Sequence, residues 1–163
     1  MVPLKIISGA QTGADRAALD AALELRVETG GWVPGGRKAE DGTIPERYPN
    51  LRETPGDDYE TRTCWNVRDS DATLILSRGP LSGGSKFTET VARSLRKPVL
   101  HVDLAAAPVA DAVSAIREWL AGLEGGTLNV AGPRASNDPV IYERTREVIK
   151  DLLRLARQPP DPK

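Results

Sequence analysis

The sequence has one cysteine, Cys64, and one histidine, His101. A single cysteine excludes an intrachain disulfide framework and a cysteine-rich zinc site. Cys64 has no histidine at a recognisable spacing, so it does not read as a nucleophile. No His, Cys or carboxylate cluster has metal-ligand spacing. An excess of one charge is also missing: 22 Lys and Arg face 23 Asp and Glu, for a net charge of −1. No global field then draws the chain to nucleic acid or to an acidic membrane. No apolar run approaches the ~20 residues that span a bilayer. The opening Met1-Val2-Pro3-Leu4-Lys5-Ile6-Ile7-Ser8 lacks the charged region and longer apolar stretch of a secretory signal. These absences point to a cytoplasmic protein with neither nucleic acid nor membrane as partner. Its length fits one domain with a core of its own.

What is present is an alternation of strand-like and helix-like segments. Leu4 to Ser8 is a short apolar run ending at Gly9, and Ala14 to Arg26 carries Ala18, Leu19, Ala22 and Leu23 on one helical face. A second extended stretch covers about Val27 to Val33. Pro34 to Pro55 has no periodicity but holds Ile44, Tyr48 and Leu51, which with Trp32 could pin it down as an ordered loop. Ala72 to Ser77 reads as a buried strand, followed by a helix with Phe87, Val91 and Leu95 at i, i+4, i+8. Pro98 to Val102 is another strand, with His101 read as a core histidine. A helical stripe from Val109 to Leu123, a strand at Thr127 to Val130 and a final helix from Ile141 follow.

This pattern predicts an α/β fold, a single Rossmann-like α/β/α domain over residues 1–157 with a mainly parallel sheet. Residues 158–163, rich in proline, form a frayed tail. The long return after the second strand suggests a third strand beside the first, giving the order 2-1-3-4-5. Ligands in such sheets sit beyond the carboxyl ends of the strands, which directs attention to the loops after Ser8, Ser77 and Val130.

The first of these loops, Gly9-Ala10-Gln11-Thr12-Gly13-Ala14-Asp15-Arg16, matches neither the dinucleotide fingerprint nor the P-loop. A tight turn capped by Thr12 would explain Gly9 and Gly13, but it does not require Gln11, Asp15 or Arg16. The second loop places Ser82, Gly83, Gly84, Ser85 and Lys86 at a helix start, a ready phosphate cradle whose dull alternative is a flexible linker. In the third, Gly132, Arg134 and Ser136 open the last helix; Arg134 could clamp a phosphate, while Ser136 could simply be a cap. Trp65 and Asn66 could stack on and read a ring, or pack on the sheet. The alternating charges from Gly36 to Gly42, Arg37 among them, fit a solvated surface equally well.

Longer strings carry a resemblance. Gly9 to Asp20, Gly30-Gly31-Trp32-Val33-Pro34, Gly36-Arg37-Lys38-Ala39-Glu40-Asp41-Gly42, Ile44 to Pro49, Trp65 to Ile75 and Leu128 to Ser136 are together similar to the molybdenum carrier protein family. That family is related to the molybdenum-cofactor carriers of algae, within the SLOG superfamily. The resemblance covers nearly the whole chain. It implies a Rossmann-like binder of nucleotide-like ligands and a homo-oligomer, dimer or tetramer. The implied cargo is the molybdenum cofactor (molybdopterin) or a related phosphorylated ligand.

The same superfamily holds phosphoribohydrolases long called lysine decarboxylases, with the signature P-G-G-x-G-T-x-x-E. Laid on Ser82 onward, Gly83 and Gly84 match, but the glutamate position is Thr90, with Glu89 adjacent. One residue's shift rotates a helical side chain by about 100°. The expectation is therefore a binder with no catalytic residue, in which Gly9–Gly13 and Gly83–Ser85 hold phosphate and Arg16 and Arg134 neutralise it. Gln11, Asn66 and Asp69 would read polar edges, and Trp32 or Trp65 would cover a ring. The alternatives are a nucleoside-monophosphate hydrolase using Glu89 or Asp15, and a nucleotide-sensing regulatory protein.

Overall fold

In the computed structural model, which describes residues 1–158, the strand-like and helix-like segments alternate along one sheet. β1 (Lys5–Ile7) leads into α1 (Ala14–Glu24) and β2 (Glu28–Val33). Next come a 3-10 turn at Gly35–Arg37, the short strands β3 (Lys38–Ala39) and β4 (Gly42–Thr43), and β5 (Leu51–Glu53). Then follow α2 (Tyr59–Arg68), β6 (Ala72–Ser77), α3 (Gly83–Ser94) and β7 (Val99–Asp103). The described part ends with α4 (Val109–Ala121), β8 (Thr127–Ala131) and α5 (Ile141–Ala156). The tail expected at 158–163 lies outside the described residues, apart from Gln158.

Six strands form one parallel sheet in the order β5-β2-β1-β8-β6-β7, and β3 with β4 makes a separate antiparallel hairpin. The class is the expected α/β Rossmann-like one, but the expected order is corrected. The strand beside β1 is the last one, β8, and not the third apolar run, β6. Burial explains the placement. Leu128, Asn129 and Val130 are buried on both faces, as a central strand demands, whereas β7 leaves Val99, Leu100 and His101 only half-buried, as an edge strand does. Segment 34–55 does not carry the chain back across the sheet; it builds the hairpin and adds β5 outside β2. His101 is accordingly no core residue. It lies on the edge strand with its Nε2 2.6 Å from Ser77 Oγ.

α1, α4 and α5 pack on one face, where Ala18, Ala22, Val113, Ile116, Val148 and Leu152 meet Ile6, Leu74, Leu128 and Val130. Each fully buried Leu or Ile there contributes roughly 1.5–3 kcal/mol of transfer free energy. α2 and α3 pack together through Val67, Val91 and Ala92. Ile44, Tyr48 and Val33 bury against Leu19 and Ala10, with Leu51 at their margin, so the aperiodic segment is pinned as its apolar residues suggested.

The three loops singled out in the sequence follow three neighbouring strands, β1, β8 and β6. The chain leaves β1 and β8 for helices on one face, and leaves β6 for α3, which packs with α2 away from them. The crevice therefore opens between β8 and β6, beyond the strands' carboxyl ends.

Candidate functional site

A cavity of about 500 Å³ occupies that crevice. The loop after β1 gives it Gln11 and the first turn of α1 gives Asp15; the segment after β6 gives Ser82, Gly83, Gly84 and Ser85; the loop after β8 gives Gly132 and Arg134. α2 adds Tyr59, Arg62 and Thr63, and Arg78 and Asp138 form a further wall.

The start of α3 opens on the cavity. Ser82 stands at the N-cap position but makes no side-chain cap, so its hydroxyl satisfies none of the first N–H groups. A Cβ on Gly83 or Gly84 would meet nothing within 4 Å, and Gly83 has the positive φ of 50° that favours glycine. The loop leading there is held from below: Ser77 Oγ donates to the Gly79 carbonyl at 2.8 Å, and Gly79 N–H donates to Asp103 at 2.8 Å. Arg78 makes two bonds to Asp138, at 2.9 and 2.8 Å, joining the β6 and β8 loops.

The β1 and β8 loops touch through their backbones. Ala14 N–H donates to the Pro133 carbonyl at 3.2 Å, and a Cβ on Gly13 would lie 2.4 Å from that oxygen. Gly13, with φ 82°, is thus required by close approach. Gly132 is a packing glycine too, since a Cβ there would lie 2.2 Å from the Leu76 carbonyl. Thr12 does not cap α1. Its hydroxyl accepts from Ala135 N–H at 3.1 Å and donates to Glu40. Ser136 caps nothing either; its N–H and hydroxyl bind the same Glu40 carboxylate at 3.1 and 2.6 Å. These bonds, with Arg134 3.8 Å away, hold Glu40 below the usual carboxylate range.

Asp15 lies buried on the cavity wall. Its Oδ2 accepts from Gln11 N–H at 3.3 Å and from Arg62 Nη1 at 3.4 Å. Burial outweighs these contacts and pushes its pKa up to about 6. Arg62 reaches this position because Gly9 has no side chain: a Cβ at Gly9 would lie 2.0 Å from Nη1. Arg62 and Arg134 also lie 5.5 and 5.1 Å from the centre of the Tyr59 ring, which gathers positive charge at the cavity.

Other expected residues stand elsewhere. Arg16 is spent on Asp41, at 2.6 and 2.8 Å, and on the Ala10 carbonyl. Arg37 donates to the carbonyls of Ile44 and Pro45, bracing the hairpin. Trp32 and Trp65 pack edge-on against each other, centroids 4.7 Å apart, and Trp32 Nε1 donates to Asp69. Asn66 bridges α2 to β2 through both backbone groups of Trp32. None of these lines the main cavity. Lys86 turns to Glu89 at 2.8 Å; Glu89 also meets Arg93, and neither Lys86 nor Glu89 is on the cavity wall.

Tyr59, Arg62, Arg78, Asp138 and Glu40 carry the arrangement without having been given a role from sequence. Four of the α2 residues do follow a pattern: Tyr59, Arg62, Thr63 and Asn66 recur at i, i+3, i+4 and i+7, one helical face. Among the described residues no group of three or more His, Cys, Asp and Glu is placed to hold a metal ion.

Among curated proteins none matches the chain. A crystal structure of a putative molybdenum carrier protein from Syntrophus aciditrophicus SB is similar at 49% sequence identity and a TM-score of 0.89, over 93% of this chain and 95% of that one. The model of the circularly permutated YpsA SLOG family matches residues 6–153. With nine-tenths of its length matched in sequence and in fold, the chain belongs to that family.

Proposed function

We propose that this protein is a cytoplasmic carrier or sensor that holds a phosphorylated pterin or nucleotide-like ligand in the cavity between β8 and β6. The observation that carries the reading is the start of α3: an uncapped helix N-terminus whose two glycines face open space. Arg134, whose nearest carboxylate is Glu40 at 3.8 Å, borders the same space and would supply charge to a phosphate, while Arg78 is held by Asp138. The Syntrophus relative is named a molybdenum carrier, which supports a molybdenum-related cargo, and the molybdenum cofactor is the phosphate-bearing candidate of that kind. The same resemblance supports a homo-oligomer, dimer or tetramer. The α4 stripe of Val113, Ile116 and Leu120 is consumed by the core, so it does not supply that interface.

A second reading, hydrolysis of an N-glycosidic bond, has one observation in its favour. Asp15 lines the cavity with a pKa near the range of a general acid. Glu89 does not serve it, being turned away to Lys86 and Arg93. Adenosine, guanosine and cytidine monophosphates incubated with stoichiometric protein and separated by chromatography decide between the readings. The carrier reading expects no free base. Base release that disappears in Asp15→Asn would make the protein an enzyme.

A further inference from the structure

Two buried polar side chains on the cavity wall, Gln11 and Asp15, keep hydrogen-bonding capacity that the described residues do not use. Gln11 is 5% exposed, and its carboxamide has a fixed orientation. Oε1 accepts from Thr12 N–H at 3.1 Å and from Glu40 N–H at 3.0 Å, so a flip would set an amino group against two donors. That leaves Nε2 a buried donor with no partner among the described residues, a state native proteins seldom keep. Beside it, Asp15 is 4% exposed, and both of its hydrogen bonds are long and fall on Oδ2. A carboxylate has about four acceptor positions, so most of this one's capacity, Oδ1 included, is unused. Arg62 Nε is likewise buried without a partner.

We propose that the Gln11–Asp15 wall selects a ligand ring with two adjacent N–H groups beside a carbonyl, the 2-amino-4-oxopyrimidine edge that guanine and the pterins share. The inference rests on the phosphate-seated ligand proposed above and names its ring. An ionised carboxylate only accepts and a carboxamide NH₂ only donates. Neighbouring N–H groups satisfy Asp15, and the ring oxygen takes Gln11 Nε2. Adenine and cytosine offer one amine next to a bare ring nitrogen, whose lone pair would face a carboxylate oxygen. The carboxylate also repels a phosphate from this wall. The ligand is thereby oriented, phosphate at α3 and ring at α1.

Calorimetric titration at pH 8 with GMP, IMP, AMP, 6-hydroxymethylpterin monophosphate and inorganic phosphate tests this. GMP, the pterin phosphate or both should bind at least about tenfold tighter than AMP, with IMP, which lacks the 2-amino group, in between. Which of the two binds better identifies the source of the ring. Asp15→Asn should bring the preferred ligand down to the AMP level while inorganic phosphate still binds. Gln11→Glu, which keeps the acceptor for Thr12 and Glu40 but removes the donor, should do the same and serves alone if the first variant does not fold. AMP binding as tightly as the other ligands, or a preference unchanged in both variants, would overturn the inference. Phosphate binding without ring discrimination would overturn it and leave the phosphate seat standing. No binding by any probe would remove the seat, and this inference with it.

Discussion

Gly84 faces open space, and its φ lies outside the left-handed region, so a side chain there neither clashes nor strains the backbone. Gly84→Asp should therefore fold with an unchanged melting temperature, yet place bulk and negative charge where a phosphate would sit. Titration with inorganic phosphate should show binding abolished; equal affinity in both proteins would remove this loop from the site. Asp15 gives a second residue-scale consequence, in stability. Burial raises its pKa from the ordinary 3.8 to about 6, so the folded state holds the proton more tightly than the unfolded one. Its contribution to stability is fully present below about pH 4, falls as pH rises toward 6, and is flat above. The span corresponds to on the order of 2–3 kcal/mol. Denaturant unfolding of the wild type and of Asp15→Asn across this window should show a stability difference that changes with pH in that sense. A constant difference would contradict the burial argument.

The hairpin of β3 and β4 is the element whose part in the site is largest for its size. Its turn carries Glu40 into bonds with Thr12 and Ser136, and Asp41 onto Arg16, so one short hairpin ties the β1 loop to the β8 loop. Glu40→Ala should cost roughly 1–2 kcal/mol and speed amide exchange at Ser136 and Ala135. Protection unchanged at both amides would show that the loops hold each other without it. In the sequence, Gly36 to Gly42 reads as alternating charge, because nothing local says that Glu40 will find partners 28 and 96 residues away, or Asp41 one 25 residues away. Long strands and helices were legible from apolar period, and so were the three loops, since a βα connection declares itself by glycines after an apolar run. The side chains that line the cavity were less so. Arg62 comes from a helix whose period was obscured by the polar residues around it. Trp65 and Trp32, which look like ring binders in isolation, satisfy each other instead.

At the scale of the molecule, strand order decides where the site is. The alternation of elements specifies a parallel sheet but not which strand enters its centre. That choice turns on burial of both faces of β8, where Asn129 Nδ2 donates to Thr73 Oγ1 at 3.2 Å inside the sheet. Placing β8 between β1 and β6 moves the crevice by one strand and still brings the same three loops together. Those loops leave Gln11, Asp15, the glycines of α3 and Arg134 around one space. We propose that this space holds a phosphate-bearing small molecule in an assembled protein. Native mass spectrometry of the protein purified from its own host reads assembly and cargo together. The expected result is a homo-oligomer carrying one phosphate-bearing molecule per chain, a cargo absent from Gly84→Asp purified in the same way. A bare monomer mass for both proteins would contradict it.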